Sequence, residues 1–203
     1  MQLIVGTDST WSLRTWICAQ LASIECEIKV INLNATDYKT TLNKLSQTGL
    51  VPTLVDGALQ VNDSLAITEY FNECSNGALY PNNQQERAKA RSLCAQMHAG
   101  FMNLRANCPF TLQTVPQLNT IGDEMNHELA QVTAIFNSAK LPFMFENAGA
   151  VDAFYAILAF RLQSYGIHLT GKAGEYQQSL LSWPLLQQAI SVATDWKNTA
   201  STS

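Results

Sequence analysis

The stretch Leu50-Val51-Pro52-Thr53-Leu54-Val55-Asp56-Gly57-Ala58-Leu59-Gln60-Val61-Asn62-Asp63-Ser64-Leu65-Ala66-Ile67 decides how the first part of the chain folds. Two short apolar runs, 53–55 and 58–61, flank Asp56-Gly57, and Asp-Gly between such runs is among the stronger hairpin signals. Ser64 then opens a helical pattern that lasts to about Cys74. Upstream, Leu3-Ile4-Val5 reads as a strand and residues 11–22 as an amphipathic helix. Residues 27–33 alternate apolar and polar side chains as a strand does, and 38–46 form a weaker helix. The order βαβ, then α, then ββα is a single α/β unit spanning residues 1–78.

The chain changes character at Tyr80-Pro81-Asn82-Asn83, a Pro/Asn linker placed at 79–83. Beyond it no strand pattern appears. Residues 84–107 are predicted as one long helix, because Ala88, Leu93, Met97, Phe101 and Leu104 recur at helical spacing. Helices are also predicted over 121–139, over 151–165 (apolar on nearly all sides), over 175–182 and over 184–197. Pro184 suits a first turn, where its missing N–H costs nothing. The polar tail 198–203 is expected to fray. The fold class is thus α+β/α in two domains, a βαβαββα domain followed by an all-helical one at 84–203.

Composition narrows the function. Of 203 residues, 47% are apolar and only 14% charged, against about 25% charged in ordinary globular proteins. Gln, Asn, Ser and Thr therefore wet the surface, and the apolar content rules out disorder. Twelve basic residues against 16 acidic give −4, with no cluster of Lys and Arg of the kind that phosphate backbones need. Nucleic acid is excluded as a partner. The longest apolar stretch, 153–162, is far short of the roughly 20 residues of a membrane span, so no membrane association is expected. The N-terminus lacks the basic and apolar regions of a signal peptide. Cys18, Cys26, Cys74, Cys94 and Cys108 show no C-x-x-C spacing, which excludes a zinc knuckle and a dithiol redox motif. No His/Asp/Glu group has metal spacing either, and His127 and His168 are isolated. A cytoplasmic protein with reduced thiols and no metal is expected.

Three segments carry chemistry. Ser9-Thr10-Trp11-Ser12-Leu13-Arg14 lies between the first strand and the first helix. Its hydroxyls stand where unpaired N–H groups and the positive end of the helix dipole stabilise an anion. The same residues are good N-caps, and taken alone the segment reads first as capping. Val51-Pro52 precedes the hairpin, where Pro forms either a plain turn or a cis peptide that aims the Val51 backbone away from the sheet. Asp63-Ser64 opens the last helix of the unit, able to cap it or to hold the carboxylate and ammonium of an amino acid. In a βαβαββα unit all three fall at one end of the sheet.

With these segments in this order, the chain resembles the glutathione transferase superfamily over nearly its whole length, with a thioredoxin-like first domain and a helical second one. The most specific segments are Ser9-Thr-Trp-Ser-Leu-Arg14, Val51-Pro-Thr-Leu54 and Asp63-Ser-Leu-Ala-Ile-Thr-Glu-Tyr70, with support from 96–105 and 151–155. The first is similar to the Ser-Ser-Cys-Ser-x-Arg segment of bacterial serine-type members related to the zeta class. The resemblance implies an enzyme that binds reduced glutathione, as substrate or cofactor. Ser9, Thr10 and Ser12 become the candidate catalytic hydroxyls, with Ser9 matching the serine that hydrogen-bonds the sulfur. Trp11, Leu50, Val51, Pro52, Asp63 and Ser64 become the candidate glutathione-binding residues. Val51 pairs its backbone with the cysteinyl part ahead of a cis Pro52, and Asp63 and Ser64 hold the γ-glutamyl end. His98 and Arg105, seven residues apart on the predicted long helix, share a face that in this family lines the pocket for the electrophile, though a solvated or dimer-facing side is the plainer reading.

The chain departs from the family pattern at three places. Leu50 stands where Lys is frequent, which leaves a contact to the glycine carboxylate to Lys39 or Lys44. Thr15 stands where relatives have Pro, and Gly149-Ala-Val-Asp152 replaces a Ser/Thr-x-x-Asp capping box. Cys18 and Arg14 read as packing residues of the first helix. The resemblance further implies a homodimer and a detoxifying conjugation or a zeta-like isomerisation of a small electrophile. A mixed-disulfide reductase is disfavoured, because no cysteine opens the first helix. The alternative is a non-catalytic binding or dimerisation module of the same fold.

Overall fold

The computed structural model describes residues 1–201. A continuous apolar run, Leu3-Ile4-Val5, buried on both faces, makes β1 (Gln2–Gly6) an inner strand of a four-stranded sheet. It pairs parallel with β2 (Glu27–Ile31) and antiparallel with β3 (Thr53–Asp56), which turns through Asp56-Gly57 into β4 (Leu59–Val61). The strand order is β2-β1-β3-β4, with Leu3 opposite both Ile28 and Leu54. The parallel step from β1 to β2 needs a crossover, supplied by α1 (Thr10–Leu21). α2 (Tyr38–Leu45) follows β2, and α3 (Ser64–Cys74) follows β4. Alternation turns Ile4 to one face, where Ile31 and Leu42 enclose it. α1 packs on β1, α3 packs on β3, and the two helices pack on each other, with Leu13 and Ile17 of α1 and Ile67 and Phe71 of α3 buried.

This unit, Met1–Leu79, also takes in the chain from Gln188 onward. The last helix, which begins at Pro184, therefore ends in this unit. α9 runs Pro184–Ser201 rather than stopping at 197, so the expected fraying of 198–201 is corrected; residues 202 and 203 lie outside the described residues. Its last turns are held by Lys197, paired to the Asp8 carboxylate at 3.2 Å, and by Asn32 Nδ2, which donates to the Ala200 carbonyl at 3.1 Å. Trp196 is 7% exposed.

The second unit, Tyr80–Gln187, is helical. It holds α4 (Gln84–Ala99), α5 (Met102–Asn107), α6 (Asp123–Asn137), α7 (Ala150–Ser164), α8 (Gly171–Ser182) and the start of α9. α7 is buried throughout residues 150–159, as an all-round apolar helix must be. Asp152 ties its start down: the carboxylate accepts from the N–H of Gly149 at 2.9 Å, the N–H of Met144 at 2.8 Å and the Tyr176 hydroxyl at 2.7 Å. Burial pushes the Asp152 carboxyl above its ordinary range, and these three donors pull it back.

The predicted helix 84–107 is two helices. The backbone breaks at Gly100-Phe101, where Phe101 sits in the left-handed region at φ 59°. Glu128 caps the new start, accepting from the N–H of Asn103 at 3.1 Å and of Leu104 at 2.8 Å. Among the described residues no helix is long and apolar enough to cross a membrane.

Candidate functional site

Ser9 occupies the N-cap of α1 in extended geometry, φ −90° and ψ 107°. Its Oγ accepts from the Ser12 N–H at 3.2 Å and from Ser12 Oγ at 3.1 Å. The loop before it is fixed to the neighbouring strand, because Thr7 N–H donates to the Ile31 carbonyl at 3.0 Å and Thr7 Oγ1 accepts from Leu33 N–H at 3.0 Å. A side chain at Gly6 would place Cβ 2.6 Å from Leu33 and 2.8 Å from Val51, so glycine at the end of β1 lets these two side chains close in beside Ser9.

A cleft of about 420 Å³ in the first unit brings together Ser9, Trp11, Leu33, Lys39, Leu50 and Val51. Of the three candidate hydroxyls only Ser9 lines it; Thr10 is 2% exposed and Ser12 is fully buried. Trp11 is 36% exposed, and the buried Arg14 guanidinium lies 5.8 Å from its ring centroid, a cation–π contact that steadies the indole. Leu50 is 67% exposed on the rim, and of Lys39 and Lys44 only Lys39 lines the cleft.

The Val51-Pro52 peptide is cis, with Pro52 buried beneath half-buried Val51. A hydroxyl cluster that the sequence reading passed over holds this segment. The Leu50 carbonyl accepts from Thr53 Oγ1 at 2.9 Å and Ser46 Oγ at 3.1 Å. Asn62 Oδ1 accepts from Thr48 Oγ1 at 3.1 Å and lies 2.5 Å from Thr53 Oγ1, sharing that hydroxyl's one hydrogen with the Leu50 carbonyl. With its carbonyl turned into this cluster, residue 50 hands the chain to Val51 in one fixed orientation. The four side chains are scattered over 46–62, and nothing in their spacing marks them.

Asp63 and Ser64 do not line the cleft and stand at the head of α3. The exposed Asp63 carboxylate caps that helix, accepting from Leu65 N–H at 2.8 Å. Ser64 is fully buried, and its Oγ has no hydrogen-bond partner. A buried hydroxyl left unpaired costs about 1–3 kcal/mol, and a helix N-terminus is where an anion would satisfy it.

His98 and Arg105 do not share a helix face, because the break at Phe101 separates them. Arg105 instead reaches back to the end of α4, donating to the carbonyls of Met97 and of His98, the latter at 3.1 Å. Burial pushes the Cys18 thiol up to about 12 inside α1. Among the described residues no cluster of His, Cys, Asp and Glu could hold a metal ion.

The family model described as glutathione S-transferase, N-terminal domain, matches residues 8–74. The Caenorhabditis elegans protein named "Probable maleylacetoacetate isomerase" is 30% identical over 97 residues, 47% of this chain and 45% of that one. The match thus spans about half the length of that relative. A glutathione transferase homolog from Burkholderia, solved with bound glutathione, is 21% identical with a TM-score of 0.70, covering 96% of this chain and 97% of its own. A maleyl pyruvate isomerase, titled a bacterial glutathione S-transferase in Zeta class, is 17% identical with a TM-score of 0.71, covering 95% and 98%. Glutathione S-transferase 1-6 from Anopheles dirus superposes at 0.73 with 14% identity, covering 98% of this chain and all of the other. At these identities the structures show a shared fold, and that fold extends beyond the matched domain. Residues 8–74 thus match the N-terminal domain of glutathione S-transferases, and the chain is similar to members of that superfamily, the zeta class among them.

Proposed function

We propose that this chain binds reduced glutathione in its first unit, lowers the pKa of the thiol through Ser9, and presents the thiolate to a small electrophile. The observation that carries this reading is Ser9 itself: the one candidate hydroxyl on the cleft wall, at the N-terminus of α1, in the same cleft as Val51. A thiol of pKa about 8.5 is only a few per cent ionised at pH 7. Lowering it by about two units stabilises the thiolate by about 2.7 kcal/mol. A charge-assisted bond from a hydroxyl, added to a helix N-terminus, supplies energy of that order. The Val51 backbone pairs with the cysteinyl part, and Ser64 with Asp63 receives the γ-glutamyl end. Lys39, on the cleft, takes the glycine carboxylate in place of the aliphatic Leu50.

The likeness to a maleylacetoacetate isomerase favours isomerisation of a conjugated cis double bond over conjugation. The two differ in balance. In isomerisation the C–S bond formed on addition breaks again and glutathione is recovered; in conjugation it is consumed. A thiol titration of the reaction mixture separates them. We also infer a homodimer acting in the cytoplasm, checked by light scattering and by cell fractionation.

The test is calorimetric titration with glutathione at two temperatures, followed by kinetics of Ser9→Ala. Binding between micromolar and low millimolar is expected, with kcat falling at least tenfold in the variant and affinity changing less. Equal loss of both would reduce Ser9 to a shape-giving residue. Absence of binding at both temperatures would favour the non-catalytic module of the same fold, a reading that Leu50 at the rim already suggests.

A further inference from the structure

Behind Ser9 lies a second hydroxyl that does not line the cleft. Ser12 is fully buried, and its Oγ accepts from the backbone N–H of Gly6 at 3.1 Å. That bond takes one lone pair of Ser12 Oγ and leaves its single hydrogen free to be donated. Ser12 Oγ then donates to Ser9 Oγ at 3.1 Å, and the Ser12 backbone N–H donates to the same oxygen at 3.2 Å. A hydroxyl has one hydrogen and two acceptor positions. Both acceptor positions of Ser9 are filled from inside the protein. Among the described residues none accepts the Ser9 hydrogen, and Ser9 lines the cleft.

We propose that Ser12 is a positioning residue that sets the polarity of Ser9: the line from Gly6 N–H through Ser12 to Ser9 makes Ser9 a one-way hydrogen-bond donor into the cleft. Each bond in such a line polarises the next, so the outgoing donor is stronger than an isolated serine. Ser9 then stabilises an anion and cannot act as a base. In the ionisation of a bound thiol the S–H bond breaks, the electron pair stays on sulfur, and the proton leaves to water or a buffer base. This inference rests on the glutathione reading above and adds the direction of proton traffic to it.

The test measures thiolate absorbance of protein-bound glutathione against pH, with the spectrum of each ligand-free protein subtracted. Parallel titrations give affinity at a pH where the bound thiol is protonated. Ser12→Ala is expected to leave roughly threefold to tenfold less thiolate at neutral pH, with little change in the low-pH affinity. Ser12→Thr keeps the hydroxyl and is expected to restore the wild-type profile. In a Ser9→Ala background, Ser12→Ala is expected to change nothing further, because it acts only through Ser9. Should the Gly6 N–H left behind by Ser12→Ala prevent folding, Ser12→Cys carries the test, its S–H being a weaker donor and predicting a smaller shift in the same direction. An unchanged bound-thiol profile in Ser12→Ala or Ser12→Cys overturns the proposal while leaving the glutathione site intact, and so does a shift that persists without Ser9. A wild-type protein that binds no glutathione overturns the underlying reading instead.

Discussion

At the head of α3 two adjacent polar residues do different work. Asp63 is exposed and spends its carboxylate on the N–H groups of the first turn; Ser64 is sealed in, and its Oγ is without a partner. The first already caps the helix in the free protein, and replacing it by Ala costs about 1 kcal/mol of stability. The second contributes nothing to the free protein and carries a desolvation cost. Ser64→Ala is therefore expected to leave the thermal midpoint unchanged or slightly raised, while glutathione affinity falls roughly tenfold, the worth of one hydrogen bond to a charged group. Calorimetry on the free and the liganded variant reads both numbers. A lower midpoint with unaltered affinity would show that the hydroxyl serves the fold and not the ligand. The residue types were legible in advance because hydroxyls and carboxylates at helix starts have few uses. What could not be read was the division of labour: that Thr10 and Ser12 would be buried and Ser9 left on the cleft, or that Ser46, Thr48, Thr53 and Asn62 would form one cluster. That depends on contacts between residues distant in sequence, for which no periodicity exists.

Elements were legible wherever period and punctuation agreed, as in β3 and β4 around Asp56-Gly57 and in the all-apolar α7. The reading failed where a break kept the helical phase. Leu93, Met97, Phe101 and Leu104 recur at helical spacing on both sides of Gly100, and all four are buried, so the pattern carries no trace of the left-handed turn at Phe101. The signal for that break is Glu128, a cap supplied from α6. The C-terminal end of α9 failed for the opposite reason: its residues are polar and look like tail, yet Lys197 and the Ala200 carbonyl find partners on the loops after β1 and β2. Asp8, the partner of Lys197, directly precedes Ser9. Both charges are partly exposed, so the pair is worth no more than about 1 kcal/mol and is screened by salt. Lys197→Ala is expected to lower stability in urea by that amount in dilute buffer, with the difference vanishing at about 1 M salt, where the screening length is about 3 Å. A deficit that persists at high salt would assign the role of Lys197 to packing of its aliphatic stem. Removing residues 196–203 is expected to cost more, because Trp196 is buried in the first unit.

For the molecule as a whole, five cysteines spread over both units report which parts are closed. The sequence reading took them as reduced thiols, and none is in a disulfide; burial then separates them. Cys74 is exposed, Cys26 is half-buried with its thiol pushed up, and Cys18, Cys94 and Cys108 are buried. Burial raises Cys18 to about 12 and Cys108 to about 11. Only the thiolate attacks a disulfide reagent, and at pH 8 a thiol of pKa 12 is ionised in about one molecule in ten thousand. Titration with an aromatic disulfide near pH 8 is expected to give one fast equivalent from Cys74 and a slower one from Cys26, with the other three appearing only in denaturant. A third equivalent in the folded protein, located by peptide mapping, would identify the helix that opens. The same shifts fix the sign of the alkaline response. Below about pH 9 Cys18 is a neutral thiol in folded and unfolded chains alike, so its burial stabilises the fold in full. Above that the unfolded chain ionises first and is favoured, and stability falls with rising pH until the folded thiol itself ionises near 12. Cys18→Ala removes this term, so the variant, although less stable at pH 7 for loss of a buried side chain, is expected to lose less stability between pH 8 and 10 than the wild type. Equal slopes in the two proteins would mean that Cys18 ionises in the fold as readily as in water, and that α1 opens in the folded protein.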